Sequence, residues 1–385
     1  MIKVLSIFGT RPEAIKMAPL VKALERHEAF ESKVCVTAQH REMLDQVLKI
    51  FDITPDYDLD IMKNRQTLTD ITTNALLGLE KVIRECQPDI VLVHGDTTTT
   101  FVGSLAAFYN KIKVGHVEAG LRTFNKYFPF PEELNRKLTG VIADLHFSPT
   151  DNAKSNLLRE GIDEEGIFIT GNTAIDALKT TVSRDFEFCS PLLQQLDYQS
   201  KRVIAVTAHR RENIGEPLHN ICEALKYIAE KHEDVEIVYA VHKNPAVREI
   251  ANEVLGNCPR VHLLEPLDAE EMHNLMDRSY LVMTDSGGLQ EEAPSLGKPV
   301  LVLRNETERP EAIEFGTLKL AGTDKDNIIK LAEELLNDKA EYNKMANAVN
   351  PYGDGKASQR IIESLLYHFG QLQTKPKDFE AKDRI

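Results

Sequence analysis

Ile2-Lys3-Val4-Leu5-Ser6-Ile7-Phe8, followed by Gly9-Thr10-Arg11-Pro12-Glu13-Ala14-Ile15-Lys16, reads as a buried strand, a glycine turn and the opening of a helix that the apolar spacing carries over Glu13–Arg26. The proline stands in the first helical turn, where no N–H is needed for the helix ladder. The same unit recurs. Apolar runs of strand length at Val34–Thr37, Ile90–Val93, Val114–Val117 and Leu145–Phe147 alternate with helical spacing at Met43–Phe51, Leu68–Cys86, Thr98–Tyr109 and Glu132–Ala143. Apolar strands each followed by a helix predict a parallel sheet covered on both faces. The rhythm then restarts: strands Val203–Thr207, Val235–Val241, Val261–Leu264, Leu281–Thr284 and Val300–Leu303, with helices near Pro217–Lys231, Pro245–Leu255, Glu270–Met276, Leu289–Leu296 and Asp324–Asn337. The reading is an α/β chain of two Rossmann-like doubly wound domains, residues 1–170 and 171–370, hinged after Ile167–Thr170. A last helix from Ala357 is expected to pack back on the first domain, and 371–385 to form a charged, poorly ordered tail. Such sheets bind ligands at the carboxyl ends of their strands, so the expected site is a central cleft that the two domains face.

A chain of 385 residues with 42 % hydrophobic and 28 % charged content suits two ordinary domains and excludes disorder and collagen-like repeats. Its net charge of −14 would repel a polyphosphate backbone, which argues against general nucleic-acid binding. Cys35, Cys86, Cys189, Cys222 and Cys258 are odd in number and scattered, without a C-x-x-C pair. Neither a disulfide framework nor a zinc site is indicated, and a reducing cytoplasm fits. No basic-then-apolar leader precedes the first strand, and no window approaches the roughly 18 apolar residues of a membrane span. A soluble cytoplasmic protein is expected.

Residues able to do chemistry gather where the strands end. Arg11 and Lys16 flank the first helix start, whose free N–H groups and positive end attract a phosphate or diphosphate. The turn is neither G-x-G-x-x-G nor a Walker loop, which weakens nicotinamide and NTPase readings; two solvated cations beside a plain glycine turn are the alternative. Ile90–Val93 runs into His94-Gly95-Asp96-Thr97, leaving Asp96 at a strand's carboxyl end as a catalyst or as an ordinary helix N-cap. Val114–Val117 delivers Glu118 to the same rim. Pro131-Glu132-Glu133 starts a helix and adds Glu132, with Arg136 four residues on as its ion-pair partner if the role is only structural. Three carboxylates at one rim point to acid/base chemistry more strongly than any one of them.

In the second half, Val203–Thr207 ends in Ala208-His209-Arg210-Arg211, a cationic cluster in an acidic protein that suits a diphosphate, and Val235–Val241 ends at His242. Leu281–Thr284 leads into Asp285-Ser286-Gly287-Gly288, where two glycines open a helix fit to cradle phosphate. Glu292, a turn and a half beyond Ser286, is placed to accept hydrogen bonds from ribose hydroxyls. Arg309, at a helix start after Val300–Leu303, is a further phosphate ligand or a solvated cation. No His, Cys and carboxylate spacing suggests a metal site.

Taken in order, these motifs resemble the non-hydrolysing UDP-N-acetylglucosamine 2-epimerases. The matching stretches are FGTRPEAIKMAP at Phe8, TAQHREMLDQVL at Thr37, VLVHGDTTTT at Val91, GHVEAGLRT at Gly115, PFPEELNR at Pro129, HFSPT at His146, ITGNTAIDAL at Ile169, TAHRREN at Thr207, TDSGGLQEEAPSLGKPVLVLR at Thr284, TERPE at Thr307 and NPYGDG at Asn350. They span nearly the whole chain. The resemblance implies a glycosyltransferase-B-like pair of Rossmann domains, a homodimer, and an isomerase that reversibly converts UDP-GlcNAc to UDP-ManNAc for cell-surface polysaccharide. Carried over residue by residue, it implies Asp96, Glu118, Glu132 and His209 as catalytic. The implied substrate-binding set is Arg11, Lys16, His209, Met272, Ser286, Gly287, Gly288, Glu292 and Arg309. Met272 stands where an aromatic often meets the uracil, and Leu267 where a glutamine can occur. Several relatives also bind a second UDP-GlcNAc as an allosteric activator, at positions resembling Gln39, His40, Arg65, Gln66, Glu132, Arg210 and His242; Glu42 stands there in place of a glutamine.

The chemistry implied explains several acids. The sugar's C2 hydrogen is not next to a carbonyl, so its removal needs the departure of UDP to make C1 oxocarbenium-like. Anti elimination gives 2-acetamidoglucal, and syn re-addition of UDP with protonation from the other face gives the manno sugar. Two differently placed acid/base groups are required, for which Asp96 and Glu132 are the expected pair, with Glu118 orienting or relaying. Cations at Arg11, Lys16, His209 and Arg309 would stabilise the leaving diphosphate. No cofactor is called for. The rival readings are a hydrolysing epimerase, a glycosyltransferase of the same architecture, and a nucleotide-sugar-binding regulator without turnover.

Overall fold

The computed structural model describes residues 1–38, 41–63, 66–307 and 309–381, with 42 and 43 as backbone only. The chain divides into two compact units, Met1–Thr180 with Tyr352–Glu380, and Thr181–Pro351.

The first unit runs β1 (Ile2–Phe8), α1 (Arg11–Glu25), β2 (Phe30–Val36), α2 (Arg41–Ile50), β3 (Tyr57–Asp58), α3 (Leu68–Cys86), β4 (Ile90–His94), α4 (Thr98–Tyr109), β5 (Lys113–Val117), α5 (Glu132–Ile142), β6 (Leu145–Ser148), α6 (Asp151–Arg159), β7 (Ile167–Ile169) and α7 (Thr173–Thr181). The second runs α8 (Pro191–Gln195), β8 (Arg202–Thr207), α9 (Glu216–Lys231), β9 (Val235–Ala240), α10 (Pro245–Leu255), β10 (Val261–Leu264), α11 (Ala269–Arg278), β11 (Leu281–Thr284), α12 (Gly287–Glu292), β12 (Val300–Val302), α13 (Pro310–Glu314), β13 (Leu318–Leu320), α14 (Lys325–Asn337) and α15 (Lys339–Ala346); α16 (Ala357–His368) returns to the first unit.

Each unit holds one parallel sheet, in order β3-β2-β1-β4-β5-β6-β7 and β10-β9-β8-β11-β12-β13. Successive residues of β1 serve opposite faces. Val4 and Phe8 pack with Met17 and Leu20 of α1, Leu44 of α2 and Ile361 and Leu365 of α16, whereas Leu5 and Ile7 pack with Leu79 of α3 and Val102 of α4. Burial on both faces is why the strands are apolar throughout rather than alternating. The strand order reverses between β1 and β4 in one sheet and between β8 and β11 in the other, which are the topological switch points where ligands of doubly wound sheets bind.

Three local expectations change. The helix expected at Leu289–Leu296 begins at Gly287 and tightens into a 3-10 turn over Ala293–Leu296, where Pro294 lacks an N–H for an α-helical ladder. The first unit does not stop at residue 170: α7 places Ala177 in the same core as Ile361 and Leu365, so the chain leaves the unit only after Thr180. The stretch after 371 is docked rather than loose as far as Glu380. Phe379 N–H donates to the Ile169 carbonyl at 2.7 Å, and the Asp378 carboxylate accepts from Ile169 N–H at 2.8 Å. This pairing covers the otherwise open edge of β7, whose backbone groups would lack partners.

Candidate active site

In the first unit the β1 and β4 turns are tied together by a residue that composition alone does not single out. Glu13 Oε2 accepts from Gly9 N–H (3.0 Å), Thr10 N–H (2.8 Å) and Thr10 Oγ (2.8 Å), completing a capping box on α1, while Oε1 accepts from Thr97 Oγ (2.7 Å) and Thr100 Oγ (3.1 Å). Burial pushes the Glu13 carboxyl up despite these donors. The N-cap of α4 is Thr97, whose Oγ accepts from Thr100 N–H at 3.1 Å, so the capping role open to Asp96 is already filled by its neighbour.

Asp96 is instead an ion-pair partner. Arg136 on α5 donates through Nη2 to Asp96 Oδ2 and, at 3.3 Å, to Glu118 Oε1, and through Nη1 to the Glu118 carbonyl. Helix spacing offers Arg136 to Glu132 as an ion-pair partner if the role is only structural; in the fold it faces Asp96 and Glu118, and Asn135 beside it donates to the Asp96 carbonyl at 3.0 Å. Lys16, expected beside a diphosphate, bonds Glu118 Oε2, and Asn172 Nδ2 reaches the same oxygen at 3.0 Å. His94 at the end of β4 has Nε2 3.7 Å from that oxygen. Burial alone would raise the Glu118 carboxyl, but Lys16, His94 and Arg136 outweigh it and hold the group well below the usual carboxylate range. Burial drives His94 down to about 4, leaving a neutral imidazole. Two carboxylates and two cations therefore close a small network at the ends of β4 and β5.

Glu118 is 6 % exposed, with φ of +61°, a left-handed conformation that a non-glycine side chain adopts only where its surroundings hold it. Two residues on, Gly120 has φ of +90°, and a Cβ there would lie 2.2 Å from the Ala153 carbonyl oxygen of α6. Glu132 is the half-buried first residue of α5, one turn before Arg136 on the same helix face. Its neighbour Glu133 has a different task, accepting from Thr123 N–H (3.1 Å) and Phe124 N–H (2.9 Å) to anchor the preceding loop. Arg11 is the half-buried first residue of α1.

In the second unit the organiser is Asp285, fully buried at the end of β11. Its Oδ2 accepts from the backbone N–H groups of His209 and Arg210, both at 2.7 Å, and from Asn213 Nδ2 at 3.0 Å, fixing the loop that follows β8. Nδ1 of His209 lies 3.6 Å from Asp285 Oδ1, and its ring stacks on His242 with centroids 5.2 Å apart. Burial lowers the His209 imidazole, with His242 and Arg210 adding to the effect against Asp285. Arg210 Nε donates to the Asp285 carbonyl at 3.3 Å.

Ser286 is the N-cap of α12, followed by Gly287 and Gly288. Arg309 is held by Glu291, whose Oε1 accepts from Nε at 2.8 Å, and its guanidinium lies over Gly287: a Cβ there would come 2.9 Å from Cζ and 3.0 Å from Nη1. The glycine is therefore a requirement of the arginine's position. Gly287→Ala is expected to displace the Arg309 guanidinium while leaving the melting temperature nearly unchanged; a crystal structure of the variant with a thermal melt checks it. Glu292 faces His273 of α11 (Nε2 to Oε2, 3.4 Å), and His273 Nδ1 is 2.7 Å from Thr181 Oγ. Met272 sits half-buried on the same helix.

Thus each unit gathers its expected residues at its own switch point: Lys16, Asp96 and Glu118 in the first, and His209, Arg210 and His242 with the Ser286–Gly288 turn, Glu292 and Arg309 in the second. Glu13, His94, Arg136, Asn172, Asp285 and Glu291 join them without having been expected. Of the proposed activator positions, Gln39, His40 and Arg65 lie outside the described residues, as does the Glu42 side chain, and Gln66 Nε2 donates to the Ile61 carbonyl at 2.6 Å. Among the described residues no group of His, Cys, Asp and Glu has the arrangement of a metal site.

The UDP-N-acetylglucosamine 2-epimerase family model matches residues 22–366. The UDP-N-acetylglucosamine 2-epimerase of Bacillus subtilis (strain 168) is 61 % identical over 381 residues, covering 99 % of both chains. An S. aureus MnaA–UDP co-structure superposes with a TM-score of 0.90 at 53 % identity, covering 99 % of this chain and 100 % of that one. The Neisseria meningitidis UDP-GlcNAc 2-epimerase bound to UDP-GlcNAc gives 0.88 at 51 %, covering 95 % and 100 %. With its paired parallel sheets and the carboxylate network at a switch point, this chain belongs to the UDP-N-acetylglucosamine 2-epimerase family.

Proposed function

We propose that the chain interconverts UDP-N-acetylglucosamine and UDP-N-acetylmannosamine at C2, without hydrolysis and without a metal or redox cofactor. The observation that carries the reading is the sharing of Arg136 between Asp96 and Glu118, with Glu132 one turn away on the same helix. A regulator that only binds nucleotide sugar has no use for such an array, whereas elimination and re-addition require two proton-transfer groups and a fixed charge. Asp96 and Glu132 exchange protons with C2; Glu118, kept ionised by Lys16 and Arg136, orients them and stabilises the oxocarbenium-like C1. The second unit holds the UDP. His209 and Arg309 face the diphosphate, the Ser286–Gly288 turn cradles phosphate, Glu292 takes the ribose hydroxyls and Met272 lies against uracil. The S. aureus structure with UDP and the N. meningitidis structure with UDP-GlcNAc support this choice of ligand.

Incubation with UDP-GlcNAc alone tests the proposal. UDP-ManNAc should accumulate to an equilibrium mixture; free ManNAc plus UDP would make it a hydrolase, and unchanged substrate a binding protein or a transferase awaiting its acceptor.

The working form is a homodimer. Leu134, Leu138 and Val141 lie exposed on one face of α5, and Phe108 and Tyr109 are exposed at the end of α4, which packs beside it. A patch of this kind suits an isologous contact. A second UDP-GlcNAc acts as activator through Gln39, His40, Arg65, Gln66, Glu132, Arg210 and His242, to be read as sigmoidal dependence of rate on UDP-GlcNAc. The protein works in the cytoplasm, where its five free cysteines stay reduced, and supplies ManNAc units for cell-surface polysaccharide. No helix of the described residues is long and apolar enough to cross a membrane.

A further inference from the structure

Resting on that reading, we propose that Asn172 is a positioning residue for the epimerisation: its side-chain amide fixes the rotation of the Glu118 carboxylate, and the return of the chain at Tyr352–Gly353 fixes Asn172.

Asn172 follows Gly171 at the entrance to α7 and is buried. Its Oδ1 accepts from Ala174 N–H at 3.0 Å. That bond decides which way the amide faces, so the atom turned to Glu118 Oε2, 3.0 Å away, is the donor Nδ2. Its backbone N–H donates to the Tyr352 carbonyl at 2.6 Å, and a Cβ on Gly353 would come 3.4 Å from Asn172 N. The residue is thereby held at its side-chain oxygen, its backbone and its donor end.

Glu118 needs such a holder. Its φ of +61° is sustained only by its surroundings, and the other groups facing it are charged, titratable or shared. Lys16 approaches from α1 on a flexible stem, Arg136 from α5 divides itself between Glu118 and Asp96, and His94 stands off at 3.7 Å on β4. Asn172 alone among these four brings direction without charge. A carboxylate that must present one oxygen toward the reacting sugar while remaining ionised gains from a neutral donor pinning the other oxygen.

Asn172→Asp separates this role from a structural one, because the aspartate keeps an acceptor for Ala174 N–H while its second oxygen replaces the donor. Protonated, that oxygen can still donate to Glu118; ionised, it repels it, since two carboxylates about 3 Å apart resist joint ionisation. The expected result is a kcat about tenfold or more below wild type at pH 9, recovering toward wild type as pH falls to 6, with KM for UDP-GlcNAc within about twofold and the melting temperature retained. Asn172→Ala, which loses cap and donor together, should be slow at every pH and less stable. A ratio of Asn172→Asp to wild-type kcat that is the same at every pH, or a change confined to KM, overturns the assignment. Wild-type protein that leaves UDP-GlcNAc unconverted overturns the functional reading and this one with it, whereas active wild type with a flat ratio overturns this one alone.

Discussion

Asp96→Asn is expected to lower kcat for UDP-GlcNAc epimerisation by about 10²–10⁴-fold, the usual loss on removing one acid/base group, with KM changed little. The substitution is nearly isosteric and keeps an oxygen to accept from Arg136, so the loop after β4 should hold its shape, with Thr97 still capping α4. What disappears is a group able to take and return a proton. The capping alternative predicts the opposite, because a cap variant would lose about 1 kcal/mol of stability and little turnover. Parallel measurement of kcat, KM and thermal midpoint decides. Intact turnover with a raised KM would make Asp96 a binding residue, and the proton would have to come from elsewhere.

The second large effect is on stability. His94, His116 and His146 lie at the ends of or within β4, β5 and β6, with His116 and His146 as direct neighbours in the sheet register. All three are buried. Burial drives His94 and His146 down to about 4 and His116 well below its usual range. They are neutral in the folded chain, while in the unfolded chain they take up protons below about pH 6.5. The unfolded state therefore binds more protons on acidification, and stability falls from about pH 6.5 toward pH 4, by at most roughly 3 kcal/mol per histidine. Glu118 does not offset this: its lowered carboxyl contributes stability that is present above its unfolded value and is lost only at still lower pH. Urea midpoints at pH 7.5, 6 and 5 should fall together with a visible loss of about a third of that slope in His146→Asn. A midpoint unchanged between pH 7.5 and 5 would mean that the buried imidazoles are solvated or paired after all.

The fold was legible where burial dictates sequence. Ile2–Phe8, Leu68–Cys86 and Leu281–Thr284 carry their element in their spacing because both faces of a strand, or one stripe of a helix, must be apolar. The edge strands Tyr57–Asp58 and Leu318–Leu320 were not, since two or three residues are too few to show a period and their pairing is decided by the neighbouring strand. The docking of Asp378 and Phe379 on β7 is likewise a consequence of an edge that exists only after folding.

The site divides in the same way. Strand ends announce Asp96 and Glu118, and the glycine pair announces the Ser286–Gly288 turn. For Arg136 helix spacing offers only the structural alternative of pairing with Glu132, because Asp96 and Glu118 reach it from just beyond the ends of two strands distant in sequence. Asp285 and Asn172 act through long-range contacts, 76 residues apart for Asp285 and the His209 N–H and 54 for Asn172 and Glu118, and no local pattern marks them. Glu13 had a readable signal that was not used: Thr10-x-x-Glu13 is a capping box, and a glutamate so placed at a strand's carboxyl end is available to tie neighbouring turns.

Elimination and re-addition require that C2–H is removed by one group and replaced on the opposite face from another, with the C1–O bond broken in between. Turnover in D₂O measures it directly. Converting UDP-GlcNAc in D₂O should place one deuterium at C2 of UDP-ManNAc, and ¹⁸O in the C1 bridging position should scramble into the diphosphate during turnover. UDP-ManNAc formed with its original C2 hydrogen retained and its bridging ¹⁸O unmoved would contradict elimination and re-addition, and with it the roles given to Asp96, Glu118 and Glu132.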